Sequence, residues 1–150
     1  MIFDIKMGEN FRHKAWMVAG GHTTESPSSI TYSSVVFRYI VRIALTIAAL
    51  NNLDVLACDI QNAYLNAQCH EKIWTRTGPE FGSESGCIMI VERALYGLKL
   101  SCAAFRVLLA ETLYDLSYLP IRSDPDFWIQ LAVKANGFEY YEFFYVMLMT

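Results

Sequence analysis

The dipeptide Asn136-Gly137 constrains this chain more than any other pair of neighbours. Asn-Gly readily adopts the positive φ values that a tight hairpin turn demands. Both flanks, 127–133 and 138–149, are apolar and aromatic, so they read as two antiparallel strands folded about that turn. Two helical stretches stand beside them. In 35–51 the polar residues Arg38, Arg42 and Thr46 form one narrow stripe on an otherwise apolar segment, which predicts a helix buried on most sides with one charged edge. Ser33 and Ser34 are suited to cap its start. In 101–116, Phe105, Leu108, Leu109 and Leu113 fall on one helical face.

Further strands are expected at 1–6, at 14–19 (ended by Gly20-Gly21), at 73–76 and at 88–92. Gly78, Pro79, Gly82, Ser83 and Ser85 mark a loop between the last two. The run LDVLACDI, 53–60, is apolar apart from its two aspartates and reads as a buried central strand. The Ser/Thr-rich stretch 23–34 reads as a loop, and Asp124-Pro125-Asp126 as a chain break. Helices mixed with hairpins indicate an α+β fold.

With 150 residues, 54% hydrophobic and 14% aromatic, the chain has material for one core and is not of a disordered composition. The net charge of −3 is unevenly spread. Residues 1–50 hold five bases (Lys6, Arg12, Lys14, Arg38, Arg42) against three acids (Asp4, Glu9, Glu25), and the remainder is acidic. Phosphate neutralisation therefore falls to the N-terminal third, and the overall balance argues against strong nucleic-acid binding. Cys58, Cys69, Cys87 and Cys102 have no C-x-x-C spacing and no histidine pattern, so free thiols in a reducing compartment are expected. The charged start shows no signal peptide, and Arg38 and Arg42 interrupt the most apolar run, so no membrane association is expected.

Three constellations are candidates for chemistry. Asp59 ends an apolar run, a costly place for an acid unless it holds a metal, caps a turn or pairs with a base. Tyr64 follows it closely. Gly97 and Lys99, in ALYGLK before the second helix, would suit close backbone approach and a phosphate, although a plain strand-to-helix turn explains them equally. Lys6, Arg12, His13 and Lys14 form a basic segment, either a phosphate contact or a solvated strand edge. His13, His22 and His70 have no partner pattern, and the serines lack the G-x-S-x-G context of a hydrolase.

Taken in order, these segments resemble the copia-type reverse transcriptase domain. KAWMVAGGH is similar to that family's Lys-Ala-Arg-Leu-Val-Ala-x-Gly fingers strand, and TYSSVV with VRIAL to its Pro-Val-then-Arg helix. CDIQNAYLNA resembles the first catalytic motif, Asp-Val-x-x-Ala-Phe/Tyr-Leu-Asn. EKIWTRTGPEFG, ALYGLK with AAFR, and SDPDFW resemble the segments that follow. The resemblance implies a partial right-hand polymerase palm, an antiparallel sheet packed on helices, with part of the fingers. Roughly 1–50 would be fingers-like and 51–150 palm-like. It implies template-directed nucleotidyl transfer from deoxynucleoside triphosphates on an RNA or DNA template-primer, with Mg²⁺ as cofactor. By motif match Asp59 would be catalytic and ligand the metal, joined by the Ile60 carbonyl. Tyr64 would exclude a ribose 2′-hydroxyl, Gly97 and Lys99 would lie beside template or nucleotide, and Lys14 would meet the triphosphate. Such elements reverse-transcribe in cytoplasmic particles.

The departures carry equal weight. Where the family has Tyr-x-Asp-Asp, this chain has Tyr145-Val146-Met147-Leu148. Trp16 stands in place of an arginine and Phe105 in place of a tryptophan. No thumb, connection or RNase H region is expected within these residues. Three readings are open at this point: an inactive reverse transcriptase fragment, an active domain truncated or frame-shifted near its end, or a non-enzymatic remnant that binds RNA or protein.

Overall fold

A computed structural model describes residues 2–6, 12–23 and 38–146. The expected loop 23–34 beyond Thr23, the Ser33-Ser34 caps, the side chains of Lys6, Arg12, His13 and Lys14, and Met147 and Leu148 lie outside the described residues. The fold is α+β, with antiparallel sheets and helices. Its elements are β1 (Ile2–Lys6), β2 (Arg12–Trp16), α1 (Arg38–Leu50), α2 (Ala63–Asn66), β3 (Trp74–Arg76), β4 (Ile88–Ile90), α3 (Ser101–Asp115), β5 (Leu119–Ile121), β6 (Asp124–Val133) and β7 (Glu139–Tyr145).

The chain divides into two compact units. The first comprises Met1–Tyr32 and Asn62–Arg106. It holds two hairpins: β1 on β2, with Ile2 opposite Trp16, and β3 on β4, with Trp74 opposite Ile90. The loop between β3 and β4 winds into a 3₁₀ segment, Pro79–Glu84. The Thr77 hydroxyl ties this loop together by donating to the Glu84 carbonyl.

The second unit comprises Ser33–Gln61 and Val107–Thr150. Its sheet runs β5-β6-β7, all antiparallel. The Asn136-Gly137 signal lies in the β6–β7 turn as expected: the Gly137 amide donates to the Lys134 carbonyl at 2.8 Å, and Gly137 sits at φ 82°, where a side chain would be strained. The Asn136 side chain accepts from the Phe138 amide at 3.1 Å. Both long helices stop the same way. Asn52 and Ser117 take left-handed φ values, and the next amides, Leu53 and Tyr118, reach back to the Ala48 and Leu113 carbonyls at 2.9 Å.

Three expectations are corrected. The 53–60 run is not a buried strand. It forms no strand and is exposed nearly throughout, with Leu56 at 94%. A strand exists only when a neighbour takes its amides and carbonyls, and among the described residues none pairs with this run. The break at Asp124-Pro125-Asp126 is instead the start of β6. The register against β5 slips between Pro120 and Ile121, and among the described residues Pro125 has no ladder partner, a place where a missing N–H is tolerated. Finally, α1 is less buried than its apolar sequence implies, since Tyr39, Ile43, Leu45 and Leu50 are exposed. Among the described residues no helix is long and apolar enough to cross a membrane.

Candidate functional site

In the first unit, four stretches far apart in sequence meet. Asn62, in left-handed conformation, turns the chain into α2 and places Tyr64 inward. Tyr64 is 7% exposed. Its ring lies 4.6 Å from that of Tyr96 and meets Phe105 of α3 edge-on at 6.1 Å. Its hydroxyl shares a 2.9 Å hydrogen bond with the Cys102 thiol. Burial, then the Cys102 contact, pushes the Tyr64 pKa well above the usual phenol range. The phenol therefore stays protonated across any physiological pH.

The 94–99 segment is held from several sides. The Ala94 amide donates to the Ala67 carbonyl at 3.1 Å, directly after α2. Val18 bridges Tyr96 in parallel, and the Ala19 amide donates to the Tyr96 carbonyl at 2.8 Å. Gly97 has φ 91°. A methyl added there would be driven into the Ala19 carbonyl oxygen, and one added to Gly21 would strike the Gly97 carbonyl oxygen. Gly97 thus serves a close approach, as its sequence context implied, but the partner it approaches is the chain's own 19–21 backbone. The Ser101 hydroxyl donates to the Leu95 carbonyl at 2.6 Å, closing the turn into α3. The Glu71 carboxylate accepts from the Leu100 amide at 3.2 Å.

The expected site residues are accordingly distributed. Tyr64, Gly97 and the half-buried Lys99 fall together in the first unit, where the backbone of Lys14 also lies in β2. Asp59 and Ile60 are exposed in the 53–60 loop of the second unit. Sequence reasoning missed Gly21, Glu71 and Cys102 as parts of this assembly. Only the Gly20-Gly21 pair carried a visible signal, and it was read as a strand end.

The second unit holds tyrosines set against carboxylates at two places. The Glu142 carboxylate accepts from the Tyr118 hydroxyl at 2.9 Å and from the Tyr140 hydroxyl at 2.7 Å. Burial and then Glu142 raise the Tyr118 pKa, and Glu142 first raises that of Tyr140. Tyr145 is pushed up to about 12 by burial, then by Asp124 and Asp126, which sit close enough to oppose a phenolate. A tyrosine whose folded pKa lies above its unfolded value contributes stability that is complete below pH ~10 and lost as pH rises through about 12. In a tyrosinate absorbance titration, Tyr145→Phe should remove a late-ionising step. Loss of an early step instead would contradict this environment.

Comparison with known proteins shows the family. The profile of the family described as reverse transcriptase (RNA-dependent DNA polymerase) matches residues 2–136, and the chain belongs to that family. Within it, the chain is a copia-type retrotransposon reverse transcriptase fragment. It is 34% identical over 93 residues to the transposon Ty1-BL Gag-Pol polyprotein of Saccharomyces cerevisiae, a match covering 61% of this chain and 5% of that protein. The truncated transposon Ty1-A Gag-Pol polyprotein of the same yeast gives the same identity over 61% of this chain and 8% of its own length. The chain thus spans a small part of these relatives. No solved structure gives a significant match.

The family uses Mg²⁺. Among the described residues no three His, Cys, Asp or Glu side chains gather closely enough to hold a metal ion. Asp59 is exposed in a loop and, among the described residues, belongs to no such group. The described residues do not fit a divalent-cation site.

Proposed function

We propose that this chain is a nucleic-acid-facing segment of a copia-type reverse transcriptase that does not itself catalyse nucleotidyl transfer. The carrying observation is the residue pair that follows Tyr145-Val146. Met147 and Leu148 stand where the family places two aspartates, which leaves Asp59 as the one motif carboxylate. Template-directed nucleotidyl transfer depends on two divalent cations held by several carboxylate oxygens. A single aspartate supplies too little negative charge to hold both, so the triphosphate's charge would go unneutralised.

Support for the nucleic-acid-facing part comes from the first unit. There the segments that resemble the family's motifs converge: 17–21, α2 with Tyr64, the 94–99 turn with Lys99, and the start of α3. On this reading Tyr64 is the wall beside an incoming sugar, and Gly97 and Lys99 lie along template or nucleotide. By the same motif match Lys14 is assigned to the triphosphate, and the Ile60 carbonyl to the metal beside Asp59. The 1–50 region belongs to the fingers and the rest to the palm, and the parent element works in the cytoplasm.

The test is primer extension by the purified chain on an RNA template with a DNA primer. No incorporation above background is expected with either Mg²⁺ or Mn²⁺. Robust incorporation that disappears in Asp59→Ala would overturn the proposal.

A further inference from the structure

We propose that Glu71 is a positioning residue for the 96–101 turn: its carboxylate holds the Leu100 amide and so sets the backbone that carries Gly97 and Lys99. The inference deepens the reading above and rests on it for what the turn faces.

The chemistry of α3 creates the need. The first amides of a helix have no partners within it, and together they present a partial positive charge. Most helices meet this with an acid or a hydroxyl of their own, but α3 has no acidic residue in its first turn. Its Ser101 hydroxyl points back to the Leu95 carbonyl and is used in closing the turn. The acceptor comes instead from 29 residues upstream, as the Glu71 Oε1 on the Leu100 amide at 3.2 Å. A carboxylate acceptor makes this a charge-assisted bond.

Glu71 is itself held firmly enough to act as an anchor. Its carbonyl accepts from the Ile73 amide at 2.9 Å, and the Cys69 amide donates to the Glu92 carbonyl at 2.9 Å. The first bond tightens the segment around Glu71, the second fastens it to the residues after β4, and Glu71 is half-buried. The turn is thereby clamped on two sides. Gly97 abuts the 19–21 backbone, and Leu100 is drawn to Glu71. Lys99 lies between these two fixed points, so its Cα position follows from both.

A helix cap that only stabilises α3 would not alter what the turn contacts. The ¹⁵N-labelled chain, titrated with a short RNA–DNA template-primer duplex without metal, separates the two roles. In Glu71→Ala, Leu100 amide exchange should accelerate about tenfold or more. The Gly97 and Lys99 resonances should move while those of Thr75 and Gly86 stay. Duplex-induced shifts at Gly97 and Lys99, present in the parent chain, should be lost. Glu71→Gln, which keeps an acceptor of the same reach, should restore most of them. Should Glu71→Ala not fold, Glu71→Asp, which keeps the charge but falls short of Leu100, should show the same losses. Unchanged Leu100 exchange, or duplex shifts undiminished in these variants, would overturn the positioning role. A parent chain with no duplex shift at Gly97 or Lys99 would overturn the nucleic-acid reading of the turn, while Leu100 exchange still decides the role of Glu71.

Discussion

Gly97→Ala should lower unfolding free energy by about 3 kcal/mol or more, seen as a fall in the urea midpoint at unchanged slope. Two penalties add at this position. The φ of 91° is one that an L side chain rarely adopts. The new methyl would also be forced onto the Ala19 carbonyl oxygen and would lie 3.0 Å from Val18 Cγ1. Backbone cannot yield as a side chain can, because the Ala19 amide is bonded to the Tyr96 carbonyl and any retreat would break that bond. Gly137→Ala is the matched control. Its φ of 82° is similar, but a methyl there would enter open space. It should cost only the conformational part, about 1 kcal/mol. Equal losses in the two variants would show that the contact between 97 and 19 contributes nothing.

Trp128→Ala should be as severe in the second unit, about 3–5 kcal/mol by calorimetry. Trp128 is 5% exposed at the middle of β6, between Pro120 of β5 and Phe144 of β7. Tyr114 of α3 meets its ring edge-on at 5.1 Å. Removing the indole leaves a void that a sheet hydrogen-bonded on both sides cannot collapse to fill. Trp74→Ala offers the contrast, since Trp74 is 64% exposed on β3 and should cost about 0.5 kcal/mol or less. If both tryptophans prove equally dispensable, the β5-β6-β7 sheet does not form the centre of this unit.

The two variants probe different parts of the proposed role. Loss of the Gly97 contact would loosen the turn that carries Lys99, whereas loss of Trp128 would strike the sheet that leads to Tyr145.

What could be read from the residues in order was whatever neighbours in sequence decide. Asn136-Gly137 marked its turn because glycine takes the positive φ needed at 137 without strain and the Asn136 side chain bonds its own backbone two residues on. Phe105 and Leu113 announced the buried face of α3 by their spacing, and the loop joining β3 to β4 was marked by its Gly and Pro residues. The family itself was legible because ALYGLK and CDIQNAYLNA are chemically unusual strings. Tertiary structure alone decided the rest. The apolar run 53–60 has the composition of a strand, but becoming one requires a partner that composition does not supply. The placement of Gly21 against Gly97, the thiol of Cys102 on Tyr64, and the reach of Glu71 to Leu100 each join residues far apart along the chain. No local propensity encodes such pairs, because their energy exists only once packing has brought the two backbones within bonding distance.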